Sequence, residues 1–370
     1  MLSAKINVKV LIVLILVTAA LGASLFAARH IRRRILSKMS LNAGQAAFEN
    51  KDWPAAYEHF QEYLGRNPDN IEILKKYAKA SLSIRPLDGK HVGGAIAAYR
   101  RVLQKAPLDE LAYDKLAMLY PGTGNFEELA YIARKRIANA PNDRKAPLRL
   151  SEALIQLNKR QEAQETLDNV IAELVEELPD KRTEYVQACV LMSRIEGSKD
   201  SLMAKTKALE LLNRAINDAP ESVEALVSRS RFYRQTTDIP GKSEEERLRL
   251  ARKDLESADE LGTKEPLLLY SLGAEWIVHG ELDRADAELR AAESVPQETL
   301  EKHFFDLDDW AVIRFRLASE LMIRRAATTE SAALADEMLS ALTQRRHRIQ
   351  ILPFAIRLYY TAGKALEARR

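Results

Sequence analysis

Residues 51–70 read KDWPAAYEHFQEYLGRNPDN. Ala56, Phe60 and Tyr63 stand at offsets of 0, 4 and 7, so they share one face of a helix, and Pro68 follows at offset 12. Proline ends such a helix because it lacks an N–H and clashes with the preceding turn. The same ruler fits Ala95, Tyr99, Val102 and Pro107, then Leu129, Ala133 and Pro141, then Ala163, Leu167 and Val170. It fits again at Ala208, Leu212, Ala215 and Pro220, at Ala251, Leu255 and Ala258, and at Ala285, Leu289, Ala292 and Pro296. The steps Ala95–Leu129, Leu129–Ala163 and Ala251–Ala285 are each 34 residues. Recurrence at a fixed period of this size predicts a stack of helix pairs, none of which buries both its faces alone.

Upstream of each stretch lies a second helical pattern, clearest in 269–296, LYSLGAEWIVHGELDRADAELRAAESVP. Leu269, Leu272, Gly273 and Trp276 lead it, and Gly280, Ala285, Leu289 and Ala292 follow. Small residues at Gly44, Ala78, Ala117, Ser151, Ser230 and Gly273 are expected to let the first helix of a pair approach the second closely. This arrangement resembles the tetratricopeptide repeat, W-x2-L-G-x2-Y…A-x3-F…P over about 34 residues. The resemblance implies an all-α fold, a right-handed superhelical α-solenoid of helix-turn-helix pairs. It covers residues 37–346, about eight repeats of which the eighth is degenerate, with an incomplete terminal repeat at 347–370.

The rest of the chain agrees with a helical protein. Of 370 residues, 46% are apolar and 29% charged, enough to bury a core, and Gly and Pro are few. The net charge of +3 is unevenly placed. Residues 1–40 hold seven Lys/Arg and no acid, leaving a balance of −4 in the remainder, which argues against a general nucleic-acid surface. The single Cys189 excludes an internal disulfide and a cysteine-rich zinc site.

Between Lys9 and Arg29 run nineteen residues without a charge, VLIVLILVTAALGASLFAA. As a helix they would span roughly 28 Å, about the hydrocarbon thickness of a bilayer. They predict a transmembrane helix at 10–28, after a basic tail at 1–9 and before a basic juxtamembrane segment at 29–36 that continues as helix into the repeats. A cleaved signal peptide is the rival reading. Lys5 and Lys9 flank the run on one side, and Arg29, Arg32, Arg33 and Arg34 on the other, which favours a cytoplasmic solenoid on a single-pass membrane protein.

No constellation for chemistry stands out. YPGTGNFEE at 120–128 lacks the lysine and hydroxyl of a phosphate loop and falls where a turn is expected. HFFDLDDW at 303–310 gathers His303, Asp306, Asp308 and Asp309; a metal site is conceivable, but an aspartate capping the next helix is the simpler reading. The chain is therefore expected not to be an enzyme and to need no cofactor or metal.

The resemblance implies a partner-binding groove on the first helices of the pairs. Its candidates here are Gln45, Lys75, Lys79, Asp114, Met118, Glu224, Arg231, Arg234 and Tyr270, with Lys75/Lys79 and Arg231/Arg234 as cationic pairs for acidic segments. The implied partners are proteins or peptides and the membrane, with no nucleic acid and with self-association admitted. The expected function is a membrane-anchored scaffold assembling protein complexes at a bacterial membrane. The alternatives are the targeting solenoid of a larger enzyme such as a glycosyltransferase, or an envelope assembly factor. At the chain's end, Pro353 suits the first turn of a helix, Gly363 a turn, and residues 364–370 the opening of another helix, as if a further repeat followed.

Overall fold

The computed structural model describes residues 8–364 and 367 apart from 179, 305 and 343, with the backbone alone at residues 8–17, 19, 20, 22, 23 and 25. Among the described residues there are eighteen α-helices and no strand. The chain divides into two compact units, Met1–Tyr113 and Asp114–Arg370.

The first unit begins with α1 (Val8–Glu49), an unbroken helix of 42 residues and roughly 63 Å. The absence of Gly and Pro between Gly22 and Gly44 predicts that continuity. It is followed by α2 (Trp53–Leu64), α3 (Ile71–Ser83), α4 (Gly89–Lys105) and the start of α5 (Glu110–Gly122). Sequence chemistry sets each boundary. Asp52, Asn70 and Asp88 cap α2, α3 and α4 by accepting a hydrogen bond from the first turn, and Pro54 stands in the first turn of α2. α1 meets α2 through its last turns, where Phe48 packs edge-on to Trp53, 5.4 Å between ring centres.

The second unit runs through α6 (Phe126–Asn139), α7 (Lys145–Gln156), α8 (Arg160–Glu176), α9 (Arg182–Gly197), α10 (Leu202–Asp218), α11 (Val223–Gln235) and α12 (Glu244–Leu261). It ends with α13 (Pro266–Val278), α14 (Leu282–Glu293), α15 (Gln297–His303), α16 (Leu307–Arg325), α17 (Thr328–Ala341) and α18 (Arg345–Thr361). The alanine ruler falls on the second helix of each pair. Ala56, Ala95, Ala163, Ala208, Ala251 and Ala285 are all fully buried, and α4, α6 and α10 stop two residues before Pro107, Pro141 and Pro220. Apolar residues of α11, α12, α13, α14 and α16 share one core around Trp276 and Leu321, so successive pairs bury each other's faces.

Three expectations are corrected. The first is the single-pass membrane protein: among the described residues no helix is long and apolar enough to cross a membrane. Arg29, Arg32, Arg33, Arg34 and Lys38 break up the fully described part of α1. Lys5, and the side chains of Lys9 and of most of residues 10–28, lie outside the described residues. The second concerns the steps longer than 34 residues, 39 from Ala56 to Ala95, 45 from Ala163 to Ala208 and 43 from Ala208 to Ala251, whose surplus the sequence alone places largely in turns at 83–94, 196–206 and 236–246. The loops at 84–88, 198–201 and 236–243 are short, and much of the surplus is helix in α4, α10 and α12. Ser243 caps α12 early and three glutamates follow it, a favourable charge at a helix N-terminus. The third is Pro353, which lies inside α18 rather than in its first turn. It faces solvent, where water satisfies the carbonyl that proline leaves unbonded. The helix expected to open at 364–370 lies largely outside the described residues.

Gly273 and Gly280 test the packing logic. A Cβ at Gly273 would lie 2.8 Å from Leu317 Cδ2 on α16 and 3.4 Å from Glu288 Cβ on α14. Gly280 has open space around it but a φ of +78°, which strains any L side chain. Gly273→Leu is expected to destabilise by about 2–3 kcal/mol through overpacking, and Gly280→Ala by about 1 kcal/mol through backbone strain. Urea unfolding of the two variants measures both, and equal losses would remove the close-approach role of Gly273.

Candidate partner-binding site

The groove residues expected from the sequence fall into different environments. In the first unit Gln45 is half-buried on α1. Lys75 is taken by an ion pair with Asp109, and the Lys79 ammonium sits 5.7 Å from the centre of the Phe48 ring. On α5, Asp114 is exposed and Met118 half-buried. In the second unit Tyr270 packs half-buried against the core around Trp276.

The pair Arg231/Arg234 is not free to hold a partner in the way its spacing suggests. Both side chains converge on Glu275 of α13. Arg231 Nε donates to Oε1 at 2.8 Å, and Arg234 donates to Oε2 from Nε at 2.9 Å and to Oε1 from Nη2 at 3.1 Å. Glu275 is 3% exposed. Burial alone pushes its carboxyl up, but the hydrogen bonds and charges of Arg234 and Arg231 hold it below the ordinary range. Sequence reasoning missed Glu275, which reads as one more polar residue of a helix. The only signal is its place one position before Trp276, on the face turned toward α11.

Glu224, at the other end of α11, is half-buried. Burial raises its carboxyl above the usual range, opposed by the charge of Arg194 on α9 and reinforced by that of Glu152 on α7. The first helices α7, α9 and α11 of the second unit thus bring charged groups to one face.

On this face a cleft of about 340 Å³ opens between α9, the start of α10 and the end of α11. Its lining includes Ser193, Arg194, Lys205, Ser228, Arg231 and Thr236, and no carboxylate. Arg194 is exposed and makes no salt bridge among the described residues. Lys205 is only loosely engaged, 3.5 Å from Asp238 and 3.7 Å from the fully exposed Asp200. The walls are fixed independently of any occupant. Arg247 of α12, itself buried, donates to the carbonyls of Tyr233 at 2.9 Å and Thr236 at 2.6 Å and so fastens the end of α11. At Gly197 the missing side chain admits the Phe232 ring, which would stand 3.1 Å from a Cβ. The cleft can donate hydrogen bonds to, and neutralise, an anionic group. Cys189 on α9 offers no reactivity, since burial pushes its thiol up to about 11.

The aspartates at 306–309 behave mainly as structure. Asp306 caps α16, its Oδ1 accepting from Asp308 N at 3.2 Å, as the capping reading expects. Its other oxygen takes Arg346 of α18 in a short ion pair, and His347 Nε2 lies 3.0 Å from Asp309 Oδ1. His303 stands apart, 3.0 Å from Glu265. Carboxylate oxygens of Asp306 and Asp309 and a nitrogen of His347 lie within 4.8 Å of one another, a spacing suited to a cation. Arg346 already occupies that role, 3.7 Å from Asp309 as well. The group thus clasps α18 to the start of α16. Asp306→Ala is expected to cost about 2–3 kcal/mol through loss of a cap and of a buried ion-pair partner. Thermal melts check this, and a change under about 0.5 kcal/mol, as for an ordinary surface site, would contradict the clasp.

No protein-family model matches the chain, and no curated protein matches it. Among solved structures it is similar to a tetratricopeptide repeat protein from Parabacteroides merdae, with 14% identity and a TM-score of 0.46 over 75% of this chain and 98% of that one. It is also similar to the human IFIT1 dimer with m7Gppp-AAAA, with 16% identity and a TM-score of 0.40 over 90% and 84%. A third likeness is to the APC/C hetero-tetramer Cut9–Hcn1, with 12% identity and a TM-score of 0.43 over 90% and 73%. At these levels the assignment as a helical-repeat protein rests on the helix pairs and buried ruler of this chain.

The Glu275 clasp predicts a pH dependence. Its folded carboxyl titrates below the ordinary value of 4.5, so its contribution is complete above about pH 4.5 and is lost as pH falls through the folded value. Glu275→Gln is expected to cost about 2–3 kcal/mol at pH 7. The gap from wild type should narrow progressively in denaturant titrations taken below pH 4.5.

Proposed function

We propose that the chain is a non-catalytic binding scaffold that receives an acidic segment of a partner protein on the first-helix face of its second unit. The observation that carries this reading is the cleft between α9 and α11, where Arg194, Lys205 and Arg231 line one space with hydroxyls and no acid. Arg231 gives Glu275 one nitrogen, Nε, and its guanidinium is held in place by that bond before any partner arrives. A preset guanidinium loses less freedom on binding a carboxylate than a free one. Ser193, Ser228 and Thr236 add short polar groups suited to main-chain hydrogen bonds of a bound peptide. Helical-repeat proteins commonly use such extended faces for protein recognition, and a scaffold of this kind brings proteins together without changing them chemically.

The test uses a fluorescein-labelled peptide of alternating glutamate and leucine, with the lysine–leucine peptide as control. The expected result is saturable binding of the acidic peptide alone, weakened at least about tenfold by Arg194→Glu combined with Lys205→Glu. Equal binding of both peptides, or affinity unchanged in the double variant, would overturn the assignment of this cleft.

A further inference from the structure

A second basic groove lies in the first unit, where α1 leaves α2. His30, Arg33, Arg34, Ser37, Lys38 and Leu41 line one side of it, at the spacing of a single face of α1. Tyr63, Arg66 and Asn67, at the end of α2 and just beyond it, line the other, around a space of about 450 Å³. We propose that this groove is a binding site for a phosphate monoester.

The argument starts from charge. No acid occurs among residues 1–48. Arg33, Arg34 and Lys38 are exposed and make no ion pair among the described residues. The nearby carboxylate, Glu62, is held by Ser40, whose Oγ donates to Oε2 at 2.9 Å. The carbonyl end of α2 would offer some negative potential, but it is already engaged. Arg66 Nη1 donates to Glu62 O at 3.1 Å, and Asn67 Nδ2 donates to Tyr63 O at 3.3 Å. Three like charges are thus gathered on one helix face, none of them paired with a carboxylate among the described residues.

Geometry then selects the anion. The far wall is built before a ligand binds: Asn67 Nδ2 also donates to Ser37 Oγ at 2.5 Å, and Arg66 Nη1 reaches Ser40 Oγ at 3.4 Å. These bonds fix the distance between the end of α2 and the basic face of α1. Donors approach the space from α1 and from the end of α2, and three of them, Arg33, Arg34 and Arg66, are arginine forks. A carboxylate offers one charge and two oxygens in a plane. A phosphate monoester offers close to two charges and three oxygens in a pyramid, which matches several converging cations. This site is separate from the α9–α11 cleft, so either assignment can fail without the other.

Calorimetry on the full chain at low salt provides the test, with glycerol 3-phosphate and dioctanoyl phosphatidic acid as probes. One equivalent of each is expected to bind. Arg33→Gln and Lys38→Gln should each weaken binding about tenfold, while Arg29→Gln, outside the groove, should leave it unchanged. Tighter binding of the lipid would identify a lipid headgroup as the source of the phosphate, and equal binding a free ester. No binding of either probe at millimolar concentration, or equal losses in all three variants, would overturn the proposal. All three positions are exposed on α1, so circular dichroism should show the fold unchanged.

Discussion

The distance between neighbouring helices is set in this protein by side chains that are absent. A Cβ at Gly44 of α1 would stand 2.7 Å from the Phe60 ring of α2, and one at Gly273 of α13 2.8 Å from Leu317 of α16. At Gly94 of α4 it would meet Tyr77 Oη of α3 at 3.0 Å, and at Gly197 of α9 the Phe232 ring of α11 at 3.1 Å. In each case a large side chain on one helix occupies the space that a small residue on the other leaves empty. Close packing of this kind leaves few voids and tolerates few changes of volume. The buried alanine at the start of each second helix works by the same rule, and the large residues between pairs fill what remains. The repeat is therefore a spacing device first, and its surface is free to vary.

That division explains what was legible in the sequence. Helix pairing rests on local rules that leave a periodic trace: a small residue, a helical offset, a proline stop. Ala56, Phe60 and Pro68 were enough to find the ruler, and the ruler found the pairs. The charged face obeys no such period. Arg231 and Arg234 read as a free cationic pair because their partner, Glu275, lies more than forty residues away on another pair. Lys75 read as groove-lining for the same reason, with Asp109 beyond the next helix. The α1 stretch misled differently. An apolar run is read one residue at a time, whereas what α1 contributes to the fold is its last turns against α2, with basic residues exposed before them. Pro353 shows the limit of a single-residue rule, since an exposed helix face lets water replace the bond that proline removes.

Long-range ion pairs give the stack a second set of ties. Arg229 of α11 grips Asp254 of α12 through two nitrogens, at 2.8 and 2.7 Å, and reaches Asn213 of α10 with a third. Such bidentate pairs combine charge with direction. They are worth more here than exposed pairs because Asp254 is buried, and they specify which helices are neighbours. Not every charge is favourably placed. Burial, with a hydrogen bond that the protonated Glu288 donates to Asp259 and the charge of that group, pushes the Glu288 carboxyl of α14 up to about 7. Its contribution to stability falls as pH rises from the ordinary value of 4.5 through about 7, opposite in sign to that of Glu275.

The α9–α11 cleft lies where the repeat departs from its own period. From Ala163 to Ala208 the step is 45 residues, and from Ala208 to Ala251 it is 43, against 34 from Ala95 to Leu129, Leu129 to Ala163 and Ala251 to Ala285. The extra residues lengthen α10 and α12 and leave the loops at 198–201 and 236–243 on either side of the end of α11. The lengthened α12 is what brings Arg247 under Thr236, and the first loop is what carries Ser198 to the rim. Because loops tolerate insertion at little cost when solvated, the irregular steps add a walled space without disturbing the spacing of the buried alanines on either side. The regular helix pairs supply rigidity, and the lapses in period supply the cleft.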